Sequence, residues 1–124
     1  MTADKFRAIA LGLPDTEESS HMDHPDFRVH GKIFATLGYP NREWGMVALT
    51  PEDQDYFLRA QPKVFVPANG AWGRAGATHV LLKRVRLTIV RAALNAAWRH
   101  RRPKPRRSAV RASRAKRRAK SRRK

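Results

Sequence analysis

The chain has 124 residues, of which 41% are hydrophobic and none is cysteine, so it holds one small domain's worth of core and no disulfide scaffold, thiolate zinc site or cysteine nucleophile. Its net charge of +17 is unevenly spread: residues 99–124 carry 15 Lys/Arg and no acid, whereas residues 1–98 carry 12 Lys/Arg, all ten acids and 46 of the 51 hydrophobic residues. No run approaches the roughly 18 apolar residues needed to cross a bilayer, and the opening MTADKFRAIALGLPD has an acid at Asp4 and too short an apolar stretch for a secretory signal. The expectation is a soluble cytoplasmic protein, nucleoid-associated through a cationic tail, with no membrane partner.

In chain order, Thr2 is placed to cap a helix whose Phe6, Ile9, Ala10 and Leu13 recur at i, i+3, i+4 and i+7, with Gly12 and Pro14 as stop signals. DTEES, residues 15–19, reads as an acidic link. From Phe27 to Leu37 the pattern alternates like two strands, and His30-Gly31 sits between them where a tight turn needs positive φ, so FRV and KIFATL predict a hairpin. GYPNRE, residues 38–43, is turn chemistry, and WGMVALT, residues 44–50, is a further strand.

Thr50-Pro51-Glu52-Asp53 supplies an N-cap, a proline at the first helical position and two acids facing the positive end of the helix dipole. It predicts a helix from Pro51 to about Ala60, which Pro62 prevents from continuing. VFV at 64–66 is a short extended piece, and PANGAWGRAGA at 67–77 is a glycine-rich loop holding Trp72 before a strand from Thr78 to Lys83. A last helix from about Arg86 to Arg99 places Leu87, Val90, Leu94, Ala97 and Trp98 on one stripe; its N-cap is poor, because neither Arg84 nor Val85 has a side chain that accepts an amide hydrogen bond. From His100 onward only Ala109, Val110, Ala112, Ala115 and Ala119 are apolar, too little to offset the entropy of ordering. Residues 1–99 therefore read as one domain and 100–124 as a tail disordered when free, whose Ala/Arg/Lys-rich second half favours helix on an anionic surface.

Three pieces of the sequence together resemble the MmcQ/YjbR family of small bacterial proteins over roughly residues 3–98. They are Leu11 to Asp15 with Glu18; Phe27, Arg28, Val29, Gly31, Lys32 and Phe34; and Trp72, Gly73 and Gly76. The resemblance implies an α+β fold in which an antiparallel sheet is covered on one side by helices, similar to the frataxin-like (CyaY-like) architecture and described as a double-wing DNA-binding motif. The element order read from the residues agrees with that fold. The tail after Trp98 lies outside the family core.

The tail carries the strongest chemical signal. Duplex DNA bears one negative charge per about 1.7 Å, and each neutralised phosphate releases condensed counterion. Arg101, Arg102, Lys104, Arg106, Arg107, Arg111, Arg114, Lys116, Arg117, Arg118, Lys120, Arg122, Arg123 and Lys124 are the candidate phosphate contacts. Arg28, Lys32 and Arg42, on or beside the hairpin, are the domain's own candidates, where a wing would lay them along a backbone. Residues 56–98 add seven Lys/Arg and no acid, so one end of the domain is expected to be positive. DNA is the expected partner, with RNA reachable by the same electrostatics.

Other chemistry is thinly supported. His21-x-x-His24 with Asp23 and Asp26 has metal-ligand types, but on a strand or loop these side chains need not converge and no third ligand is fixed. Gly70, Gly73 and Gly76 lack the Lys-Ser/Thr of a phosphate loop, and there is no G-x-S-x-G elbow, so no enzyme, cofactor or metal is expected. Trp72 is suited to stacking on a base or to plugging the sheet's edge or core. The alternative to DNA binding is a small-ligand or protein-binding module with a pocket between Trp72, Trp44 and the hairpin, the tail serving as an address or solubiliser. Oligomeric state is not fixed by the pattern.

Overall fold

The computed structural model describes residues 1–103. Within them the order is α1 (Ala3–Leu11), β1 (Thr16–His21), β2 (His24–Val29), β3 (Lys32–Leu37), β4 (Trp44–Ala48), α2 (Pro51–Ala60), β5 (Phe65–Pro67), α3 (Gly70–Arg74), β6 (Ala77–Leu81) and α4 (Leu87–Arg101). The strands form one antiparallel sheet in the order β1-β2-β3-β4-β6-β5.

Local chemistry explains most elements. The Thr2 hydroxyl accepts from the Lys5 amide at 3.1 Å, and the Thr50 hydroxyl accepts from the Asp53 amide at 3.1 Å, so both expected caps form. Helix α4 has no side-chain cap at Arg86, as its sequence implied. His30 (φ 49°) and Gly31 (φ 79°) make the two-residue turn between β2 and β3.

Strand register sorts the two faces. Leu37, Gly45, Val80 and Phe65 are directly opposed across four strands, as are Phe27, Ala35 and Val47 across three, and these rows face α1, α2 and α4. Helix α4 packs on β3 and β4, and Phe6 of α1 closes over Gly45, where a side chain would meet its ring at 3.0 Å. Phe57 of α2 lies against Phe65, ring centroids 5.2 Å apart. The fold is thus the expected α+β arrangement, with the three longer helices on one side of the sheet.

Three expectations need correction. The acidic link is strand β1, an edge strand with nearly every residue exposed. An edge needs no buried apolar face, and charge on it discourages further pairing. The glycine-rich loop contains α3, because the chain approaches itself too closely at Gly73 for any side chain: a Cβ there would collide with the Ala68 carbonyl. The last helix runs to Arg101, two residues past its expected end at Arg99. The tail residues from Lys104 to Lys124, with their expected disorder and phosphate contacts, lie outside the described residues.

Candidate functional site

The sheet face turned away from the long helices is unusually polar. Ser19, Asp26, Thr36, Met46, His79 and Val66 oppose one another in a single row across all six strands. Asp26 is fully buried and forms the row's charged centre. Its Oδ1 accepts from Arg28 Nε at 2.8 Å, and its Oδ2 accepts from Arg28 Nη2 at 3.1 Å and from His21 Nδ1 at 2.8 Å. The Arg28 guanidinium, ahead of the opposing effect of burial, holds the Asp26 carboxyl below its ordinary range. An ionised carboxylate only accepts, so His21 Nδ1 carries the proton in that bond.

Beside this trio lies a cavity of about 220 Å³ lined by His21, Met22, His24, Thr36, Tyr39 and Trp72. Three pieces of chain bring them together. Hairpin β1–β2 contributes the two histidines, which are directly paired across a turn whose Met22 and Asp23 both have positive φ (51° and 64°). The loop after β3 contributes Tyr39, whose ring meets that of His24 at 5.8 Å and that of His79 at 6.0 Å. Helix α3 delivers Trp72, which is 46% exposed and so neither plugs the core nor seals the edge. Trp44 does not line the cavity; its ring meets that of His79 at 6.1 Å. Burial lowers the His79 pKa, which keeps that ring neutral near pH 7.

The sequence-predicted cations do not converge. Arg28 is committed to Asp26, while Lys32, the first residue of β3, and Arg42, in the loop past its other end, are both exposed. Since a strand rises about 3.3 Å per residue, those two are separated by on the order of 20 Å. Arg102 stacks over Trp98, 4.7 Å from the ring centroid, and Trp98 Nε1 donates to the Pro14 carbonyl at 2.9 Å, so the end of α4 is pinned to the α1–β1 link. Sheet order separates the charges: the acids of β1 lie at one edge, and β6 and β5, from the half of the chain without acids, lie at the other. His21 and His24 share the cavity, but among the described residues no three His, Asp or Glu side chains come together as a metal site. No described helix is long and apolar enough to cross a membrane.

The cavity residues missed by sequence reading are Met22 and Tyr39, with the supporting His79. Of the pocket expected between Trp72, Trp44 and the Phe27–Leu37 hairpin, Trp72 and the hairpin's Thr36 line this cavity and Trp44 does not.

Comparison with known proteins bears on the fold. The family model described as YjbR matches residues 11–100. Among solved structures, the chain is similar to the Deinococcus radiodurans protein DR2400, a DUF419-domain protein, at 18% identity and a TM-score of 0.66, covering 78% of this chain and 75% of that one. It is also similar to a Pseudomonas syringae protein at 16% identity and a TM-score of 0.64, covering 82% of this chain and 100% of that one. None of the curated proteins matches. At these identities the structural likeness speaks to the fold alone.

Proposed function

The chain belongs to the YjbR family, and from that premise we propose that it is a sequence-tolerant DNA-binding protein whose affinity resides in its C-terminal cations more than in its folded domain. The observation that carries this is the run of 15 Lys/Arg with no acid over residues 99–124. The site geometry supports the division of labour. Arg28 is neutralised by Asp26, and Lys32 and Arg42 stand apart, so the hairpin presents no compact set of free cations for a phosphate backbone. The C-terminal cations, having no acids among them, lose none of their charge to pairing within the segment. RNA is engaged by the same electrostatics.

The magnitude follows from counterion release. If about ten of the C-terminal cations reach phosphates, log K falls with log salt at a slope of roughly −9, a loss on the order of 10⁵ in affinity between 50 and 200 mM salt. The test is fluorescence anisotropy of a labelled duplex of about 20 base pairs against the full chain and against a chain ending at Pro103, which keeps α4 and the Arg102–Trp98 contact intact. The expected result is loss of nearly all affinity and of most of the salt slope on truncation. Retention of affinity and slope by the shorter chain would move the DNA site into the domain and overturn the proposal.

A further inference from the structure

The cavity on the polar sheet face has a chemistry distinct from the C-terminal charge. Aromatic side chains line it: Tyr39 and Trp72, both about half exposed, with the His24 imidazole edge-on to Tyr39. Its polar groups are the Thr36 hydroxyl on the sheet floor, the imidazoles of His21 and His24, and the Tyr39 hydroxyl. These are directional donors and acceptors set at the edge of flat apolar walls, the arrangement that recognises a ring by its rim and its faces together.

Charge and size narrow the occupant. No Lys, Arg, Asp or Glu lines the cavity. The nearest ionic group, Asp26, is already paired with Arg28 and His21, so no free Lys or Arg there would compensate a phosphate or carboxylate. A cation would have to approach a chain of net charge +17 and would find no carboxylate among the lining residues, the nearest exposed one being Asp23 on the turn beside Met22. A volume of about 220 Å³ corresponds to roughly seven waters at about 30 Å³ each, room for one ring system and not for a chain of them. Met22, 86% exposed on a left-handed turn at the rim, supplies a polarisable side chain able to fold over a ring placed there.

We infer that this cavity binds one uncharged planar nitrogen heterocycle of nucleobase size, held between Trp72 and Tyr39 and hydrogen-bonded at its edge by Thr36 and the two histidines. The ring has two possible sources, a free nucleoside or an unpaired base of a single strand. The inference stands on the cavity and is independent of phosphate binding by the C-terminal cations.

The test uses the full chain at about 500 mM salt, where phosphate contacts are screened. Saturation-transfer NMR is run with adenosine, cytidine and uridine, and separately with a short oligothymidylate, each with and without inorganic phosphate added as a competitor. Saturation transfer to nucleoside rings with a Kd of roughly 0.1–5 mM is expected for a ligand of this size, weakened at least tenfold in Trp72→Ala and severalfold in Thr36→Val, and unchanged in Arg42→Ala. Tighter binding of the oligonucleotide than of a nucleoside, lost in Trp72→Ala, assigns the site to an unpaired base; binding of nucleosides alone assigns it to a free ligand. Absence of transfer to every ring up to about 10 mM, or equal binding by the parent and Trp72→Ala, overturns the inference. Each variant is checked for a native thermal transition, and Thr36→Val, nearly isosteric, is the second probe should Trp72→Ala not fold. Failure here leaves the duplex salt slope as it was, so the two readings fail separately.

Discussion

Gly73→Ala sets two effects of opposite sign against each other. Residue 73 lies inside α3, where alanine in place of glycine is ordinarily favourable by about 0.5–1 kcal/mol. Here the new Cβ would fall on the Ala68 carbonyl and lie 3.1 Å from the Ala68 nitrogen. These are backbone atoms, which cannot swing aside as a side chain would. Helix α3 must lift, and the bond from Gln54 Nε2 to the Gly73 carbonyl, 2.9 Å, is lost with it. Overpacking costs about 1–3 kcal/mol and the hydrogen bond about 1. The clash outweighs the propensity gain, for a net destabilisation of about 2 kcal/mol, or a fall in Tm on the order of 10 °C for a domain of this size. Urea unfolding followed by far-UV circular dichroism measures it. Gly70→Asn is the matched control: Gly70 has φ 65° with nothing within 4 Å of an added Cβ, and asparagine tolerates that conformation, so its cost is expected to stay within about 1 kcal/mol. A Gly73→Ala protein as stable as its parent would refute the close approach that seats Trp72 beside the sheet.

Two further outcomes follow from the polar face. His79 Nδ1 is buried without a hydrogen-bond partner among the described residues, so His79→Phe is expected to stabilise the protein by up to about 1 kcal/mol at pH 7. Its folded pKa is lowered, so the unfolded chain binds more protons below about pH 6.5 and stability falls with pH there; the advantage of His79→Phe should widen from pH 7 to pH 5, and a gap constant with pH would contradict burial as its cause. Asp26 runs on the carboxylate side of the same rule: held below 3.8 by Arg28 and His21, it contributes stability that is complete above about pH 4 and is lost as pH falls through its folded pKa. The gap between the parent and Asp26→Asn in urea titrations is therefore expected to narrow as pH falls below about 4, and a gap that does not change with pH there would show that the ionised trio is not what Asp26 provides.

Elements whose cause is local were legible in the sequence. Helix α2 begins and ends where its Thr-Pro-acid signature and Pro62 put it, and the β2–β3 hairpin turns at His30-Gly31. Strand β1 and helix α3 were not legible, for physical reasons. TEESSH has no apolar face because an edge strand on a half-open sheet buries almost nothing, and its turn is built from Met22 and Asp23 in a conformation that methionine seldom adopts. Helix α3 has five residues, two of them glycine, and no side-chain cap. Tertiary bonds from Gln54 to Gly73, Ala77 and Thr78 hold that region, and no local propensity announces them.

The candidate site was less legible than the fold because its parts meet only through register. Positions 21, 36, 39 and 72 share no spacing, and Thr36 reaches the same face as Asp26 only because β3 pairs with β2 in one of its two possible parities. One signal was nonetheless present in the sequence. Asp26 and Arg28 are two apart on a strand, so the pleat puts them side by side on one face, where opposite charges pair. Arg28 therefore brings a paired carboxylate with it to any external contact. The same rule separates the domain's cations from those after residue 98: a cation on a strand is discounted by any acid at i±2 or directly across, while a run with no acid anywhere in it keeps its full formal charge for an external polyanion.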